Sequence, residues 1–425
     1  MPSRDPGGRA PARIPDSVRT ELTYRYDRLR AIAGGILETA GTTFLLLIAV
    51  RVFDAGPTAK ALIVSGGAIG HILSPFAVAI VERGRWEASR AAAAISFFGS
   101  ACFVVAAMFP SLLVFVVASV TGMTAVNAVI PMLTQMYQEN YSERERGAKF
   151  SRAVMIRVAV SAAFSWVAGG WLSGRMDVRY PWLLGCFALA YAFNGFCLSR
   201  CPTRALKPGR GMSLFRGIKY VKTDRSFRWV LASWMLMGFG NLMMWPLRVE
   251  FLANPKYGTD YSAVTIAVLT GVVPNVARFI MIPFWGRMFD RMNFFHLRAV
   301  LNVGFAIGIL AFFGGQSMPW LVFASIMFGI ANAGGDIAWS LWVTKLAPPA
   351  RVADYMSVHT FNTGTRSLIA PLIAFNAVEG VPMWMLGIVS VALIVASSGL
   401  LVFESGRTAD GGKLKGVPLV EEGGD

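Results

Sequence analysis

Charged residues are scarce in this sequence. Asp, Glu, Lys and Arg together make up 15% of the 425 residues, whereas apolar side chains make up 55%. Soluble domains usually contain about 25% charged residues. No stretch of the chain supplies the polar surface that two or three separate soluble domains would need. The composition therefore argues against an ordinary soluble enzyme.

Cysteine and histidine are also rare, with four and three residues respectively. The cysteines form no CxxC pair and lie mostly in apolar runs, which predicts packing thiols and neither a zinc site nor a disulfide framework. The sequence contains no phosphate-binding loop and no constellation around a nucleophile. We therefore expect no metal, no cofactor, no ATP-driven pumping and no enzymatic activity.

Long apolar runs are abundant, and about 20 apolar residues suffice for a helix to cross a bilayer. Twelve such runs predict an all-α polytopic membrane protein with twelve transmembrane helices, and no run is typical of a strand. The runs lie near residues 30–53, 59–81, 89–109, 111–137, 149–173, 180–199, 226–252, 262–286, 296–314, 318–346, 351–377 and 382–403.

The polar stretches between these runs divide the chain. We expect a cytoplasmic tail over 1–29, a six-helix bundle over 30–199 and a cytoplasmic linker over 200–225. A second six-helix bundle follows over 226–403, and residues 404–425 form a tail predicted to be disordered.

The formal charge of +16 raises the possibility of nucleic-acid binding. With twelve spans, however, 31 of the 40 Lys and Arg residues lie on the side of the two termini. They form a ring around the helix ends and no single basic stripe, which argues against nucleic-acid binding. The positive-inside rule instead predicts a cytoplasmic (inner or plasma) membrane protein with both termini in the cytoplasm.

The two halves resemble each other weakly at an offset near 200 residues. Gly41 and Arg51-Val52 align with Gly238 and Arg248-Val249, and further matches follow in the same order along the chain. Two parallel six-helix repeats are typical of transporters whose binding site lies between the halves at the membrane midplane.

Three connections carry motifs. Gly286-Arg287-Met288-Phe289-Asp290-Arg291 follows the eighth span and resembles the signature loop of the major facilitator superfamily. Its counterpart in the first half is degenerate, with Val78 in the glycine position and Glu82-Arg83 in place of Asp-Arg. The stretch 141–151 is similar to that family's connection between helices four and five.

The resemblance covers residues 30–403 and implies two pseudo-symmetric bundles that alternate access to a central cavity. It implies a gate or latch at the cytoplasmic helix ends, formed by Gly286, Asp290, Arg291 and Glu82; a solvated loop is the alternative. Proton-linked drug exporters of the family carry an arginine in helix four where this chain has Ala118. They also carry a Gly-Pro in helix five that is missing here, so a drug-antiporter assignment is disfavoured.

Few ionisable residues lie within the predicted spans, where each charge costs about 2.5–3.5 kcal/mol by insertion scales. The resemblance places Glu38 and Asp336 on cavity-lining helices, so we expect them to carry protons or to bind a cation or substrate. A structural ion pair with an arginine is the alternative. Arg366 is a candidate for an anionic group, and Arg157 and Arg278 for gate pairing or snorkelling.

Amide, hydroxyl and tryptophan side chains complete the predicted cavity. Stacking surfaces beside hydrogen-bonding groups suit a small organic solute. The candidates are Thr124, Asn127, Asn241, Trp245, Asn332 and Trp339.

The sequence thus predicts a monomeric secondary active transporter of a small organic solute, coupled to protons or another ion and surrounded by the lipid bilayer. One alternative is an exporter of amphiphiles, drugs or lipids with the same fold. The other is a membrane receptor or biogenesis scaffold that does not transport.

Overall fold

The computed structural model describes residues 15–204, 214–346 and 352–410, and the regular structure in these ranges is helical. A short linker helix, Leu214–Thr223, joins two sets of six long helices. The first set comprises α1 (Asp16–Arg51), α2 (Pro57–Arg83), α3 (Ala88–Met108), α4 (112–140), α5 (Glu143–Leu172) and α6 (Met176–Ser199). The second comprises α7 (Arg225–Ala253), α8 (263–291), α9 (Phe294–Gly314), α10 (Met318–Leu346), α11 (Val352–Ala377) and α12 (Met383–Asp410).

Eleven of the twelve helices are long and apolar enough to cross a membrane. The exception is α11, whose 26 residues are sufficient in length. Its middle carries Asn362, Thr363, Thr365 and Arg366, which lower its mean hydropathy. These polar side chains are tolerated because α11 packs on α2 and α7 and is shielded there from lipid.

The first helix begins earlier than the sequence predicts. Residues 16–29, assigned to a tail, form the start of α1. Arg19, Thr23 and Asp27 recur every four residues, so they lie on one helix face, and all three are buried. Arg19 donates to the side-chain oxygen of Asn140 at 2.8 Å, and Tyr137 donates to Asp27 at 2.8 Å. This polar stripe docks the helix extension on the end of α4.

The C-terminal boundary also differs, because α12 continues to Asp410 where a disordered tail was expected from residue 404. Within the predicted linker, Leu214–Thr223 is helical. The remainder of the predicted tails and linker, at 1–14, 205–213 and 411–425, lies outside the described residues.

The two sets of helices pack in the same pattern. In the first half α3 packs on α6 and α2 on α4, and in the second half α9 packs on α12 and α8 on α10. The halves meet mainly through α2 against α11 and α5 against α8. In a parallel repeat α2 corresponds to α8 and α5 to α11, so these two contacts are related by the symmetry of the halves.

Two π-helical turns interrupt the long helices at the interface between the halves. One spans Ala40–Phe44 in α1 and the other spans Val268–Val272 in α8. The hydroxyls of Thr43 and Thr270 lie 3.1 Å apart and form a hydrogen bond between the halves. Such turns often occur at functional sites, and both lie within one helical turn of the cavity described next.

Candidate functional site

Four ionisable side chains form a continuous network between the two halves. Arg278 of α8 contacts Glu38 of α1 through Nη1 and Oε1 at 2.6 Å. Its Nε contacts Oδ2 of Asp336 in α10 at 2.6 Å. Arg157 of α5 completes the network, with its Nε 3.1 Å from Oε2 of Glu38. The network contains two arginines and two carboxylates, so its formal charge is balanced.

A cavity of about 200 Å³ adjoins this network at the middle of the helices. It is smaller than the roughly 300–1,000 Å³ of sites for drug-sized ligands. Polar groups from both halves reach it, which suits a small solute. Its lining residues are Glu38, Thr42, Trp245, Arg248, Thr270, Pro274, Asn275, Arg278, Asn332 and Asp336.

Local backbone features bring the charged groups together. A side chain at Gly35, one turn before Glu38, would contact the Arg157 carbonyl at 2.5 Å, so glycine permits α1 and α5 to approach closely. At the π-helical turn of α1, the Thr42 hydroxyl donates to the Glu38 carbonyl at 2.9 Å. On the other side, Asn275 Nδ2 donates to Ser161 Oγ at 3.0 Å and ties α8 to α5.

The structure brings the predicted carboxylates into one site. Glu38 and Asp336 both line the cavity and share Arg278 as a partner. Arg157 and Arg278, for which snorkelling was an alternative, instead turn toward these carboxylates. The side chain of Glu38 is 20% exposed and that of Asp336 is 46% exposed, so both remain accessible to a proton or a solute.

Only Trp245 and Asn332 of the six predicted amide, hydroxyl and tryptophan side chains line the cavity. Thr124 and Asn127 donate at 2.9 Å to the carbonyls of Gly66 and Gly67. These bonds form because the glycines of α2 let α4 approach closely. In this conformation both side chains lie at the contact of α2 with α4, and their role in a cavity remains a prediction.

Asn241 and Trp339 are also absent from the cavity lining. Trp339 lies about one turn beyond Asp336 and donates to the Thr363 hydroxyl at 3.4 Å. Its ring packs near the ring of His71, with centroids 6.4 Å apart. Trp339 thus belongs to the contact of α10 with α2 and α11.

Arg366 lies inside the second half. Its Nη1 donates to the carbonyl of Trp234 at 2.7 Å, and its guanidinium occupies the space that a side chain at Gly238 would fill. Only 4% of the residue is exposed. Arg366 is not among the residues that line the cavity in this conformation, and its role as a ligand for an anionic group remains a prediction.

The predicted latch differs in its backbone. The predicted loop does not begin at Gly286, because α8 continues through Gly286 to Arg291 and ends there, with Met292 as its C-cap. A side chain at Gly286 would meet no atom within 4 Å, so no close approach requires this glycine here. Arg291 is exposed and Glu82 is half-buried. The side chain of Asp290 lies outside the described residues, and the latch remains a prediction.

Several residues that line the cavity were not predicted from the sequence. Thr42, Thr270 and Asn275 resemble ordinary helix residues in sequence, and only the π-helical turns and the helix contacts place them at the cavity. A signal for Arg248 did exist, since an arginine lies within the apolar run 226–252. Arg248 aligns with Arg51, which lies at the end of its own span.

The halves are joined at the end of the bundle opposite the termini, here called the distal end. Lys60 of α2 pairs with Glu250 of α7 at 2.7 Å, and both side chains are buried. Arg51 pairs with Asp260 at 2.5 Å. Among the residues that the structure describes, the other polar contacts between the halves lie at this end, at the cavity or between α2 and α11, where the Ser65 hydroxyl donates to the carbonyls of Ser367 and Leu368. The distal end is thus closed.

Solved structures with the same arrangement are transporters. A mutant form of the nucleoside transporter NupG has a TM-score of 0.72 at 12% identity, covering 91% of this chain and 99% of its own. A D-xylose-proton symporter has a TM-score of 0.62 at 14% identity, covering 90% and 96%. A POT family transporter in complex with a thioalcohol-conjugated peptide has a TM-score of 0.64 at 14% identity, covering 92% and 96%. At these identities the likeness establishes the fold.

The sequence comparison identifies the family. No sequence among the curated proteins matches the chain. A family model, however, matches residues 30–371, which is most of the chain. The match covers the first half from residue 30, the second half as far as residue 371 and the whole ion-pair network. On this match and the twelve-helix fold, the chain belongs to the Major Facilitator Superfamily.

Proposed function

We propose that the chain is a secondary active transporter that moves a small organic solute by alternating access and is coupled to protons. One observation carries the proposal: Arg278 of the second half pairs with Glu38 of the first half and Asp336 of the second, beside a cavity lined by both halves. Because an ion pair joins the two halves, protonation of its carboxylate weakens the contact between the halves.

The coupling follows from the charges that face Glu38. Arg157, Arg278 and, across the cavity, Arg248 face it from three other helices, and Asp336 competes for Arg278. Protonation of Glu38 removes its negative charge and with it the attraction across the interface. Arg278 then keeps Asp336 as its partner within the second half. The halves then lose their ion pair at the cavity, which shifts the equilibrium toward separation at the distal end, where the pairs of Lys60 with Glu250 and Arg51 with Asp260 still oppose it.

The distribution of basic residues supports the proposed orientation. We place both termini in the cytoplasm, because 31 of 40 Lys and Arg residues lie on that side. The closed distal end then faces the outside of a cytoplasmic membrane, and the chain acts as a monomer. A cavity with charged walls also favours transport over a receptor or scaffold role, which needs no such groups.

The test is transport in proteoliposomes. Counterflow is measured for nucleosides, D-xylose, amino acids, short monocarboxylates and small amines. The first two are included because structures with this fold belong to a nucleoside transporter and a D-xylose-proton symporter. An imposed pH gradient then drives accumulation of the solute that exchanges. We expect Glu38→Gln and Asp336→Asn to retain exchange and to lose pH-driven accumulation, since a neutral side chain cannot release a proton.

The matched control is Glu379→Gln, whose carboxylate pairs with Lys256 at 2.9 Å in connections away from the cavity. It should accumulate solute as the parent does. If Glu38→Gln and Asp336→Asn both accumulate solute uphill as well as the parent, the proton-carrier role is refuted. If no solute in the panel exchanges in the parent, the transport proposal loses its support.

One observation favours a second candidate, an exporter of amphiphiles. An apolar cleft of about 460 Å³ lies between α5 and α8, lined by alanines, valines, Trp166 and Phe279. Trp166 is 58% exposed, so the cleft faces the surroundings of the bundle. Asn275 lines both this cleft and the central cavity. A long-chain amphiphile added to the panel tests this candidate; its exchange in preference to every small solute would favour it.

A further inference from the structure

We propose that Arg248 binds the carboxylate of the solute, so that the transported class is small organic monocarboxylates. This inference rests on the proposed transport function and names the substrate class for the same cavity. Arg248 lines the cavity but takes no part in the ion-pair network.

Arg248 is a buried cation without a counter-charge. Only 1% of the residue is exposed. Among the described residues, no carboxylate lies within ion-pair distance of it, and its Nη1 is buried without a hydrogen-bond partner. Burial of a charge without a partner costs free energy. An anionic ligand would supply the missing partner for Arg248.

The surrounding groups hold the guanidinium in place. It lies over the rings of Trp245 at 4.3 Å and Phe328 at 4.4 Å, and such cation–π contacts stabilise an arginine away from water. Its Nε donates to the Trp245 carbonyl at 3.2 Å. The side chain is thus anchored through its faces and its inner edge. The N–H groups at its far end are available for a carboxylate, which matches the planar fork of arginine.

The charges of the site select a monoanion. The network of Glu38, Arg157, Arg278 and Asp336 is balanced, so Arg248 leaves one excess positive charge at the cavity. One carboxylate neutralises it, whereas a phosphate monoester carries a charge of roughly −2. The volume of about 200 Å³ restricts the ligand to a small molecule, and Trp245 offers a flat apolar surface for its body.

The experiment measures binding to the purified full-length protein. Thermal unfolding and tryptophan fluorescence are followed with butyrate and benzoate, with the matched neutral amides butyramide and benzamide, and with inorganic phosphate. The carboxylates should stabilise the parent and the amides should not. Arg248→Gln should weaken carboxylate binding roughly tenfold or more, since a hydrogen-bonded ion pair is lost. Arg248→Lys, which keeps the charge without the fork, should bind with intermediate affinity.

Arg228→Gln is the matched control, because Arg228 lies on the same helix, is exposed, and donates only to the carbonyls of Val221 and Lys222. It should bind carboxylates as the parent does. Equal stabilisation by acids and amides, unchanged binding by both Arg248 variants, or tighter binding of phosphate would each overturn the inference.

The two proposals fail separately. Counterflow of neutral solutes only, without carboxylate binding, would remove the monocarboxylate assignment and leave the transporter. Carboxylate binding that depends on Arg248, in a protein that exchanges no solute, would support the site and remove the transport proposal.

Discussion

Arg278 is the residue that pairs with both carboxylates of the cavity. Glu38 accepts from Arg278 and also pairs with Arg157, whereas Asp336 has Arg278 as its described partner. The Glu38 side chain is also the less exposed of the two carboxylates. An ion pair gains strength as water is excluded, so Glu38 contributes more than Asp336 to holding this conformation.

We therefore predict that Glu38→Gln destabilises the protein more than Asp336→Asn. Breaking a buried ion pair costs about 3–5 kcal/mol of stability. The substitution of Asp336 should cost less, because its side chain is more exposed. Thermal unfolding in detergent measures both, and Glu379→Gln should change stability by less than about 1 kcal/mol because its pair is exposed. An equal or larger loss for Asp336→Asn would contradict this ranking.

For individual residues, the sequence shows which charged side chains lie in apolar spans, but it does not predict which residues they contact. Glu38 and Asp336 stand out because charges are rare in apolar spans, and both reach the cavity. Arg366 stands out equally and lies elsewhere. The difference depends on Gly238, whose missing side chain leaves room for the Arg366 guanidinium inside the second half. Such a contact between helices has no signature in helical periodicity.

The α2–α4 pair shows how small residues position whole helices. Gly66, Gly67 and Gly70 of α2 face α4, where Thr124 and Asn127 donate to the carbonyls of the first two. In membranes, close packing of this kind replaces the hydrophobic effect as the force between helices. The sequence predicts both helices, but it does not predict that Thr124 and Asn127 form hydrogen bonds at their contact.

We predict that Gly70→Ala forces α2 and α4 apart. The added methyl group would clash with the carbonyl of Thr124 and lie 2.9 Å from Cβ of Asn127. Overpacking of this kind costs about 1–3 kcal/mol. Gly170→Ala in α5 is the control, because a methyl group there meets nothing within 4 Å. Thermal unfolding measures both variants. A lower melting temperature for Gly170→Ala than for Gly70→Ala would contradict this prediction.

For the whole molecule, hydrophobic run length predicts nearly everything about the architecture. The twelve spans, the division into two halves and the absence of strands from the predicted elements agree with the structure and the family. The helix extension at Asp16 was missed because its buried face is polar, and hydrophobicity alone cannot identify such a face. The sequence also does not predict which end of the bundle is closed. That closure depends on ion pairs between distant residues, such as Lys60 with Glu250.

The most direct test of the account measures this distal end as the pH changes, and it requires no substrate. Spin labels at Thr58 and Gly380, on α2 and after α11, report the separation of the halves in a variant without native cysteines. Protonation of Glu38 breaks its pair with Arg278, so lowering the pH should increase the population with a long distance. In Glu38→Gln the populations should not change with pH, while Glu379→Gln should behave as the parent. A parent-like pH response in Glu38→Gln would contradict the account.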